Sequence, residues 1–179
     1  MAAPRIGGRP FFDAARRTSC MNNQATPKML WLEDLSVGQR FRFGDYPVTR
    51  EEVIAFATAY DPQPFHLDDE AAAANPLLGK LCASGMHTLS MSHLLQMRGF
   101  DEVGIKPLAG AGMDEMRLHQ PVFPGDVLHI EVEIVEARPI RSSQDRGLLS
   151  YLTTASNQND QAVLTYRSTL FMARKPQAA

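Results

Sequence analysis

From Leu81 to Met97 the chain runs for seventeen residues without one formally charged side chain. Met86, Leu89, Leu94 and Met97 recur there at helical spacing, while Met91 and Leu95 fall on other faces. A helix that is apolar nearly all round must be enclosed by other structure. Lipid is not the enclosing medium, because His87, Thr88, Ser90, Ser92, His93 and Gln96 interrupt the run. Nowhere does the sequence hold the roughly 18 uninterrupted apolar residues that a membrane span needs. The segment predicts one long buried helix, and the rest of the chain must wrap it.

The wrapping material follows. From residue 108 onward the pattern turns to strands. Pro124-Gly125-Asp126 reads as a turn, and Val127 to Glu136 alternates apolar with polar almost strictly, the period of a half-buried strand. Leu148–Thr154 and Ala162–Met172 predict two more strands, joined by the turn Asn157-Gln158-Asn159-Asp160. Upstream, Phe41-Arg42-Phe43 gives a first strand signal. Thr49-Arg50-Glu51-Glu52 has the form of a capping box, with Val53, Phe56, Ala57 and Tyr60 behind it at helical spacing. A helix over 50–60 must stop before Pro62 and Pro64, and a short one is expected from Asp68 to Ala74. The class is α+β, an antiparallel sheet of five or six strands wrapped around one long central helix. Gly99, Gly104, Pro107, Gly110 and Gly112 predict a flexible loop over 98–112.

Charge divides the chain. Residues 1–28 carry five basic groups and one acidic, a net +4, and the other 151 residues carry thirteen and nineteen, a net −6. The first segment shows no periodicity and is read as a disordered basic extension or the product of an upstream start codon, with Met21 or Met29 as alternative starts and an organelle transit peptide as the rival reading. The folded domain is placed at 29–179. Its basic residues form no stripe, which argues against nucleic acid as a partner. Cys20 and Cys82 cannot build a disulfide framework, so a reducing, cytoplasmic setting is expected.

The run Tyr60-Asp61-Pro62-Gln63-Pro64-Phe65-His66-Leu67-Asp68 holds the most chemistry. A carboxylate and an imidazole stand five apart on a span stiffened by two prolines, and such a pair can grip one water as acid and base. Spacing alone also fits a turn whose aspartates merely cap helices. Asp61 to Asp68 resembles the Asp-x-Asn-Pro-x-His-x-Asp motif of the MaoC-like, (R)-specific enoyl-CoA hydratases. Ser84-Gly85-Met86 is similar to that family's His-Gly-Met stretch, and the Pro121–Asp126 turn is family-like. The likeness spans residues 31–174, with Gln63 in place of the usual Asn and Ser84 in place of the usual His. It implies a hotdog fold and hydration of trans-2-enoyl thioesters to (R)-3-hydroxyacyl thioesters, or the reverse, by Asp61 and His66. The substrate would be an acyl-CoA or an acyl-carrier thioester.

Conjugate addition also needs a donor for the thioester oxygen. Gly85, at the helix entry, is the candidate, because its N–H has no intrahelical partner and it has no Cβ to hold a carbonyl away. It is equally readable as a packing glycine. Ser90 matches a serine near the family's site, although such serines commonly bond their own helix. His87 and His93 are six apart, the wrong spacing for two ligands on one helix face, so no metal is implied. No glycine-rich nucleotide loop is present either, so no cofactor is implied. Lys80, Arg98, Arg138, Arg141 and Arg146 are the cations available for substrate phosphates. Exposed sheet edges predict a homodimer or a higher homo-oligomer. The rival readings are a hotdog thioesterase and a non-catalytic acyl-thioester-binding protein.

Overall fold

The strict alternation of Val127–Glu136 becomes the middle of the molecule. In the computed structural model, which describes residues 28–176, these residues belong to the strand Val127–Pro139. Leu128, Ile130, Val132 and Ile134 are fully buried on one face. All but the last residue of the basic extension lies outside the described residues. Five strands pair antiparallel: β1 (Arg40–Pro47), β2 (Pro107–Leu118), β3 (Val127–Pro139), β4 (Arg146–Ser156) and β5 (Ala162–Ala173). Their order across the sheet is β1-β3-β4-β5-β2. Three helices join them, α1 (Arg50–Tyr60), α2 (Asp69–Ala74) and α3 (Gly85–Val103), with 3-10 turns at Leu32–Asp34 and Pro64–His66. The inner faces of β1, β3, β4 and β5 form one core with α3, which is the hotdog arrangement.

The long helix sits four residues later than the uncharged segment. Leu81 to Ser84 are extended and buried, and α3 starts only at Gly85, capped by Ser84. It runs on to Val103 and ends where Gly104 takes a left-handed conformation at φ 85°. Its buried face also differs from the expected stripe. Thr88, Met91, Ser92, Leu95, Gln96 and Phe100 face inward, whereas Leu89, Leu94 and Met97 are half-buried and Met86 is exposed. The inward polar groups of Thr88, Ser92 and Gln96 are satisfied. Gln96 donates to the Tyr151 hydroxyl over 2.7 Å and accepts from Thr153 and Tyr166. Ser92 and Thr88 bond carbonyls one turn back. A helix needs no charge to be polar at its core-facing side when the sheet supplies partners. Gly99 allows the closest approach to the sheet, since a Cβ there would lie 2.1 Å from the Phe43 ring.

Two further expectations are corrected. Residues 98–112 are not a loop: the last turns of α3 occupy 98–103 and β2 begins at Pro107. The glycines of β2 weaken its strand signal, yet β5 offers an edge to pair with, from Pro107 opposite Met172 to Leu118 opposite Leu164. The capping box is half made. The Thr49 hydroxyl accepts from the Glu52 N–H, but the Glu52 carboxylate accepts from the Tyr46 hydroxyl, a tertiary partner that its sequence neighbours could not reveal.

Candidate active site

The extended segment Leu81–Ser84 is the hub of the site. Its Ala83 N–H donates to the Val122 carbonyl over 2.8 Å, which ties the entry of α3 to the turn before β3. Its Cys82 carbonyl lies 2.8 Å from His66 Nδ1. The Ser84 hydroxyl donates to Asp61 Oδ2 over 2.6 Å. Both motif residues are therefore held by one short segment, His66 through a backbone carbonyl and Asp61 through the Ser84 hydroxyl.

Local chemistry explains how the loop presents them. Asp61 closes α1, its N–H bonded to the Ala57 carbonyl. Pro62 and Pro64 prevent further helix, and Pro64 takes the first position of the 3-10 turn that carries His66. Asp68 caps α2 by accepting from the Ala71 N–H, so it is the helix cap rather than the first residue of the helix. Asp68 caps α2 with its side chain, whereas Asp61 closes α1 through its backbone and its carboxylate turns toward Ser84 and His66.

His66 is buried, and its partner fixes the hydrogen on one ring nitrogen. A carbonyl can only accept, so Nδ1 carries a hydrogen, and whenever the ring is neutral the lone pair sits on Nε2. That Nε2 stands 3.8 Å from Asp61 Oδ2. The gap is too long for a direct hydrogen bond and leaves two acceptors facing the same place. A water between them can donate one hydrogen to each.

Beside the pair lies a cavity of about 320 Å³. His66 and Phe65 form one wall, Cys82, Ala83, Gly85 and Thr88 another, and Leu118 to Val122 a third. Asp61 is not on the wall itself and joins it through His66. Gly85 is on the wall and is the first residue of the 19-residue α3. A Cβ on it would lie 2.5 Å from Leu118 Cδ1. The absence of a side chain keeps the helix entry and the cavity in contact.

Ser90 is elsewhere. It lies on the exposed side of α3, its hydroxyl donates to the Met86 carbonyl over 2.8 Å, and it does not line the cavity. Among the candidate cations, Arg138 pairs with Glu136 and Arg146 with Asp145 on the β3–β4 hairpin. Lys80 instead lies 3.8 Å over the Phe123 ring, next to the wall residue Val122. Sequence reading missed His119, which lines the cavity with its Nε2 2.9 Å from the Thr165 hydroxyl. A lone histidine at a strand end carries no signal. It also did not assign the Ser84–Asp61 bond, which spans 23 residues.

His87 takes no part in this array. It is buried in the first turn of α3, stacked on Phe56 with ring centroids 4.6 Å apart, and its Nδ1 has no hydrogen-bond partner. Burial pushes its pKa down from 6.5 to about 4, so the ring is neutral at neutral pH.

Fold and site together define a hotdog protein with a carboxylate–imidazole pair at the entry of its central helix. The chain belongs to the MaoC-like domain family, whose model matches residues 34–155. Over 130 residues, 72% of this chain and 89% of the relative, it is 33% identical to the uncharacterized protein YdeM of Bacillus subtilis. A stretch of 79 residues is 38% identical to 3-hydroxyacyl-thioester dehydratase Z of Mycobacterium tuberculosis, covering 44% of this chain and 52% of that one. The MaoC-like dehydratase from Rhodospirillum rubrum superposes with a TM-score of 0.72 at 36% identity, covering 83% of this chain and 99% of that structure.

Proposed function

We propose that the chain hydrates trans-2-enoyl thioesters to (R)-3-hydroxyacyl thioesters, or runs the reverse dehydration, with Asp61 and His66 as its acid–base pair. The observation that carries the reading is the pair of facing acceptors, Asp61 Oδ2 and His66 Nε2, 3.8 Å apart beside a cavity that the α3 entry lines. The family membership and the likeness to a 3-hydroxyacyl-thioester dehydratase support the substrate class. In the hydration direction the water oxygen bonds to C3 while one member of the pair takes its proton. The electron pair of the double bond moves toward the thioester oxygen, and the Gly85 N–H at the α3 entry is the candidate donor to it. As that charge returns, C2 takes a proton from the pair, so one water is consumed and the pair ends in its starting state. No metal or cofactor enters this balance.

A second copy of the chain completes the arrangement. Nearly every residue of β2 is exposed, with Leu108 and Leu118 each 56% accessible, on an edge strand whose outer hydrogen-bonding groups face away from β5. Leu118 belongs both to that edge and to the cavity wall, so a copy docked on β2 lies over the cavity mouth. Lys80 beside the wall is the cation best placed for a phosphate of coenzyme A or of a carrier's prosthetic arm.

The test is loss of the enoyl-thioester ultraviolet absorbance with a short and a longer enoyl-CoA, read beside a free-thiol assay. Absorbance loss without thiol release supports hydration. Thiol release would replace the reading with a thioesterase, and ligand binding without either change would replace it with a binding protein.

A further inference from the structure

Ser84 is fully buried immediately before α3, and its side chain has two partners. The Met86 N–H donates to Ser84 Oγ over 3.2 Å, and Oγ lies 2.6 Å from Asp61 Oδ2. A hydroxyl has one hydrogen to give, and a carboxylate can only accept. The hydrogen therefore points at Asp61, while the Met86 N–H occupies a lone pair. An oxygen–oxygen distance of 2.6 Å is that of a charge-assisted bond. The donor is itself anchored, because the Ser84 carbonyl accepts from the Thr88 N–H at 2.9 Å and from the Thr88 hydroxyl at 3.2 Å.

We infer that Ser84 is a positioning residue for Asp61, fixing the carboxylate against His66. The inference rests on the hydration reading and adds to it a group that touches neither water nor substrate. The need for it is geometric. The Asp61 side chain is 28% exposed and too far from His66 for a direct hydrogen bond, so without Ser84 it can rotate into solvent. Ser84 also stands at the positive end of α3 and passes that polarity to the carboxylate through its hydroxyl. Ser84 is one of the two places where the sequence departs from the motif it resembles, and its geometry gives the departure a use.

The test compares wild type, Ser84→Gly and Ser84→Thr in steady-state hydration, with crystal structures of all three. Glycine is well tolerated before a helix and cannot donate, whereas threonine keeps the hydroxyl. In Ser84→Gly, kcat should fall by about tenfold or more, the worth of one hydrogen bond to a charged group. KM should hold within about twofold. The Asp61 carboxylate should turn away from His66. Ser84→Thr should keep the wild-type Asp61 position and most of the rate. Unchanged kcat in Ser84→Gly, or a loss with Asp61 unmoved, would overturn the inference and leave Ser84 a helix cap. A wild type without turnover would sink the hydration reading by itself. The Asp61 position in the wild-type and Ser84→Gly crystals would then still decide the link to Ser84.

Discussion

Replacing His87 with phenylalanine should remove a defined part of the protein's sensitivity to acid. The ring is buried against Phe56, its Nδ1 is unpartnered, and burial alone lowers its pKa from 6.5 to about 4. A base whose folded pKa is depressed favours the fold while neutral, so its contribution is complete above about pH 6.5. As pH falls the unfolded chain takes up the proton first, and stability is lost until the folded ring also titrates near pH 4. Each pKa unit is worth about 1.4 kcal/mol, which sets a ceiling of about 3 kcal/mol. Residual solvation at the helix entry lowers the figure to about 2 kcal/mol. Phenylalanine keeps the stacked ring, gives up no hydrogen bond at Nδ1 and cannot protonate. Urea unfolding of both proteins at pH 7.5 and 4.5 gives the answer as a difference of differences. Wild type should lose about 2 kcal/mol more than His87→Phe between the two pH values. The carboxylates that ion pairs hold low, such as Asp69 beside Arg50, titrate in both proteins and cancel. Equal losses would show that His87 carries no linked proton.

Gly85→Val should leave the melting temperature within a few degrees, because Leu118 is exposed and can swing aside, yet cut kcat/KM for enoyl thioesters by about tenfold or more as the helix entry is covered. Gln96→Leu should cost about 2–5 kcal/mol in urea unfolding, since the Thr153 and Tyr166 hydroxyls lose their buried acceptor. Met113→Arg on the exposed edge of β2 should turn a dimer into a monomer in light scattering coupled to size exclusion. An unchanged mass would place the contact between copies on another face.

Much of this fold is written in local patterns. The alternation of Val127–Glu136 marks β3, Thr49 marks the start of α1, and Pro62 and Pro64 mark the break that presents His66. Where local pattern and structure part, a distant partner decides. Leu81–Ser84 reads as more of the helix, because an apolar run looks alike in a buried helix and a buried extended segment. It is extended because Val122 takes its backbone hydrogen bond and His66 and Asp61 take its carbonyl and hydroxyl. Strand β2 is masked by its glycines and exists through pairing with β5. The site was half legible for the same reason. Asp61 and His66 are five residues apart and visible as a pair, whereas the serine that holds Asp61 lies across the fold. Ser90, one turn along the same helix as Gly85, faces the other way.

The most direct measurement of the central claim is the rate of crotonyl-CoA hydration by wild type and by Asp61→Asn. Asparagine fills nearly the same space, so the fold and the Ser84 contact persist while the carboxylate's proton transfer is lost. The wild-type rate should be measurable and should fall by about 10² or more in the variant. A variant that kept most of the wild-type rate would contradict the claim.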